Sequence, residues 1–65
     1  MAPSFAMTPK QYVDHIRDLV SRHAYGEALD YSERHGPEMD HLLSLQQFGA
    51  LGAMLKHADM VMKED

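Results

Sequence analysis

No cysteine occurs anywhere in this chain, and in a chain of 65 residues that absence decides what can hold a fold together. A domain this small hides only about 60% of its unfolded surface, and its core alone rarely supplies more than about 3–5 kcal/mol. Small domains often add disulfides or a cysteine-built zinc or iron–sulfur site, and none of these can form here. Three supports remain: close helix packing, a metal held by histidine and carboxylate, or a partner subunit.

Charge and hydropathy narrow the classes further. Ten acidic against six basic residues give a net charge of −4, and no two Lys or Arg are adjacent. A stripe of cations following a phosphate backbone is therefore not expected, and neither is a nucleic-acid partner. The hydrophobic share of 45% is that of a folded domain. The longest uninterrupted apolar runs are no longer than Ala53 to Leu55, far below the roughly 18 residues of a membrane span. The expectation is a cytoplasmic protein with no membrane partner.

Local signals divide the chain into an arm and helices. Residues 1–7, with Pro3 and no periodicity, read as a flexible N-terminal arm, and residues 8–65 as a single small helical domain. Thr8 suits a helix N-cap, Pro9 the first helical position and Gln11 the reciprocal capping position, while Met7 can pack on Tyr12 as a staple. Tyr12, Val13, Ile16, Leu19, Val20 and His23 then fall on one side at helical spacing, predicting a first helix to about Arg22. A second helix follows, with Ala24, Ala28, Tyr31 and Ser32 facing inward and an exposed Asp30–Arg34 pair one turn apart. The spacing of Tyr12, Leu19, Tyr25 and Ala28 resembles one tetratricopeptide-type hairpin; the likeness covers about half the chain and implies a helical hairpin there, with no function attached.

Gly36 and Pro37 read as a stop and a start, which predicts a third helix from Pro37 to about Lys63, with Glu38 and Asp40 in its first turn. On that helix Met39, Leu42, Leu43, Ala50 and Ala53 share one face, and Phe48, Leu51, Leu55, Ala58 and Met62 share another. The small residues between Gly49 and Gly52 are the place for a kink or a close helix crossing. No strand-like alternation occurs, so the fold class is all-α: a hairpin of two short helices against one long C-terminal helix, completed by oligomerisation.

Chemistry-bearing patterns are sparse. Five histidines, His15, His23, His35, His41 and His57, invite a metal or proton-carrier reading, but no two are three or four residues apart. Glu38 and His41 form the Glu-x-x-His unit of di-iron carboxylate bundles, and a symmetric dimer would be needed to complete a di-metal site from it. Ser21 before His23, and Ser32 before His35, lack the tight turn and glycine-built amides that a nucleophile requires. The sequence thus predicts no catalytic residue, no cofactor, no metal and no enzyme.

Six methionines remain, and Met60 and Met62 diverge around Val61 near the end of the helix. Flexible methionine side chains suit an adaptable helix-binding surface. The sequence therefore predicts a non-enzymatic protein–protein interaction module of adaptor, assembly or chaperone type. It would self-associate or take a protein partner through Phe48, Leu51, Leu55, Ala58 and Met62. A second reading is a small acidic regulator of phage or mobile-element type, an antitoxin or an inhibitor of a host protein. The dimer-built metal site at Glu38 and His41 is a third.

Overall fold

The computed structural model describes residues 7–64. Along them run α1 (Pro9–Ser21), α2 (Tyr25–Met39), a 3-10 turn (Asp40–Leu42) and α3 (Leu45–Lys63). The arm expected at residues 1–7 lies outside the described residues except for Met7. The Met7 side chain packs on the core, and its sulfur accepts a hydrogen bond from the Tyr31 hydroxyl at 3.3 Å.

α1 begins as the sequence predicts. The Gln11 N–H donates to the Thr8 hydroxyl at 3.1 Å and the Thr8 N–H donates to the Gln11 side chain at 3.0 Å, so two of the helix's orphan donors are satisfied reciprocally. Its end uses the backbone alone. His23 adopts a left-handed conformation with φ 62°, its N–H donates to the Val20 carbonyl at 3.0 Å, and the Ala24 N–H donates to the Leu19 carbonyl at 2.8 Å. That pair of bonds is the Schellman arrangement, with histidine in the place usually taken by glycine.

α2 differs from expectation at its far end. Gly36 and Pro37 do not separate two helices: α2 continues through both to Met39. No described glycine has a positive φ, so Gly36 is an ordinary helical residue and not a left-handed cap. Burial favours this continuation, because one more helical turn places Met39 in the core at 4% exposure. Pro37 lacks the N–H that would reach the Glu33 carbonyl, and the helix ends within the turn that follows. The Asp40 N–H still bonds the Gly36 carbonyl before the chain tightens into the 3-10 turn. Glu38 and Asp40 therefore sit near a helix C-terminus and not, as expected, in the first turn of a third helix.

The actual break is at Leu43, which is extended, and Ser44, which caps α3. The Gln47 N–H donates to the Ser44 hydroxyl at 3.1 Å, and the Ser44 N–H to the Gln47 side chain at 2.9 Å, repeating the device at Thr8. α3 is consequently about 28 Å long, and it runs as one continuous helix through Gly49–Gly52.

All three helices touch one another. α1 supplies Tyr12, Val13, Ile16 and Leu19 to the core, α2 supplies Ala28 and Met39, and α3 supplies Leu51. Ala24 and Tyr31 of the expected inward stripe pack against this cluster, and Asp30 and Arg34 pair at 2.7 Å on the outside. The first apolar face expected for the long third helix does not survive the break. Met39 is buried on α2, whereas Leu42 is half-exposed and Ala53 is exposed. Restarting the helix at Ser44 changes its rotational phase, and Leu51 and Ala58, two turns apart, become its inward line.

Candidate interaction surface

The five residues expected to form a partner surface fall into two groups. Leu51 is 4% exposed and Ala58 fully buried, so both are used inside the chain, and Leu55 is half-buried against the core. Phe48 and Met62 remain more than half exposed. Met62 also leans back over α2, its terminal methyl 3.7 Å from where a Cβ on Gly26 would lie.

Other apolar residues join Phe48 on the outside. Leu45, the first residue of α3, is 95% exposed, Leu42 on the preceding turn is 51% exposed, and Met60 is 57% exposed. Leu42, Leu45 and Phe48 follow one another within two turns around the Ser44 cap. From Leu45 to Leu55 the helix carries no charged side chain. Gly49 and Gly52 lie on this half of α3, and no neighbouring atom comes within 4 Å of where their Cβ atoms would be. Leu42 and Leu45 escape the sequence reading because it extends a helix across residues 40–44. The Ser44-x-x-Gln47 pattern is the signal that would have found them.

Ion pairs do not compete for this surface. Those among the described residues run along single helices between exposed side chains, such as Lys10–Asp14 at 2.7 Å and Lys63–Asp59 at 3.1 Å. The hydrogen bond from Lys10, aided by the Lys10 and Arg17 charges, holds the Asp14 carboxyl below its ordinary value. Pairs of this kind contribute little. A groove of about 300 Å³ between α1 and α3 is lined by Lys10, Val13, Arg17, Gln46 and Ala50 among others, next to the charge-free stretch of α3.

The histidines serve aromatic packing more than they cluster. His15 and His35 both pack against Tyr31, with ring centroids 4.3 and 4.5 Å away, and Tyr31 stacks on Tyr12 at 5.9 Å. Tyr25 similarly meets two histidine rings, His23 at 5.7 Å and His57 at 5.5 Å. Glu38 and His41 are both exposed, at the end of α2 and on the 3-10 turn. Among the described residues no three His, Asp or Glu side chains come together as a metal site. Ser21 and Ser32 donate their hydroxyl protons to the Asp18 and Leu29 carbonyls at 2.7 and 2.9 Å.

Tyr12 is the most deeply set polar side chain. Burial raises its phenol above the ordinary value, with the nearby charge of Asp40 adding to the effect, and its hydroxyl donates to the Ser32 carbonyl at 3.4 Å. It thereby ties α1 to α2. Burial raises Tyr31 as well.

No family model matches the chain, and no curated protein or solved structure matches it either. Among the described residues no helix is long and apolar enough to cross a membrane.

Proposed function

We propose that the protein is a non-enzymatic helical docking module that self-associates through the apolar start of α3 and the turn before it. The observation that carries this reading is Leu45, 95% exposed, between half-exposed Leu42 and Phe48 on a helix segment without charge. Single exposed leucines are common on folded proteins, but a group of large apolar side chains with no charges between them favours association. Moving one exposed leucine into an apolar contact is worth about 1.5–3 kcal/mol. A domain with so small a core gains correspondingly more from a partner than a large one does.

Light scattering on the purified chain tests the reading. At micromolar concentration the mass should exceed that of one 65-residue chain, and Leu45→Glu should reduce it to one chain that still folds cooperatively and whose thermal midpoint no longer rises with protein concentration. A wild-type chain that remains single at these concentrations would overturn self-association.

A further inference from the structure

We draw no further inference here: the strongest candidate, the outward apolar patch of Leu42, Leu45 and Phe48 at the start of α3, belongs to the surface already described, and nothing in the structure shows what covers it.

Discussion

His23 closes α1 in a conformation that costs an L-residue with a side chain roughly 1–2 kcal/mol. Its imidazole makes no cap; the backbone makes both closing bonds. Glycine adopts the same φ freely, so His23→Gly should raise the free energy of unfolding by about 1 kcal/mol, read from urea titrations. A loss of stability would mean that the tilted ring contact of His23 with Tyr25 outweighs the backbone strain. Tyr12 makes a pH-dependent prediction. Its folded pKa lies above the ordinary 10.0, so the unfolded chain gives up this proton first as the solution becomes alkaline. The contribution is fully present below about pH 10 and is lost as pH rises through the folded value. Urea midpoints should therefore fall above pH 10, and Tyr12→Phe should lessen the fall; an unchanged slope in the variant would assign it to other groups.

At the scale of elements, the same kind of signal was read once and missed once. Thr8-x-x-Gln11 announces α1 because Pro9 and an apolar helical stripe stand beside it. Ser44-x-x-Gln47 announces α3 just as directly, but Gly36-Pro37 punctuates the sequence more strongly and draws the boundary eight residues early. What the pattern of residues does not display is the competition between a helix-breaking proline and the burial of Met39. The core settles that competition for the longer α2. The consequence reaches the candidate surface, because a shift in helix phase exchanged Leu51 and Ala58 for Leu42 and Leu45. Gly36→Ala separates the two boundaries. The added methyl would meet Asp40 and Tyr12 at ordinary contact distances, 3.4 and 3.7 Å, so a helical Gly36 predicts a gain of about 0.5–1 kcal/mol in chemical unfolding. A left-handed terminator at this position would instead show a loss of similar size.

For the whole molecule, the all-α class, the hairpin of α1 and α2 and the inward residues of α1 from Tyr12 to Val20 were legible, since each follows from helical spacing and caps; His23, expected on the same side, instead lies exposed just past the end of α1. The surface was legible only in part: Phe48 and Met62 stand outside as read, while Leu51 and Ala58 complete the chain's own core. Three mutually packed helices thus cover much of the apolar surface that the sequence assigned to a partner, leaving the start of α3 as the most exposed remainder. Amide chemical shifts recorded from low to high protein concentration test this location most directly. The account predicts concentration-dependent shifts gathered between Leu42 and Ala53, absent in Leu45→Glu. Shifts gathered instead along the outer face of the α1–α2 hairpin, or spectra that do not change with concentration, would contradict it.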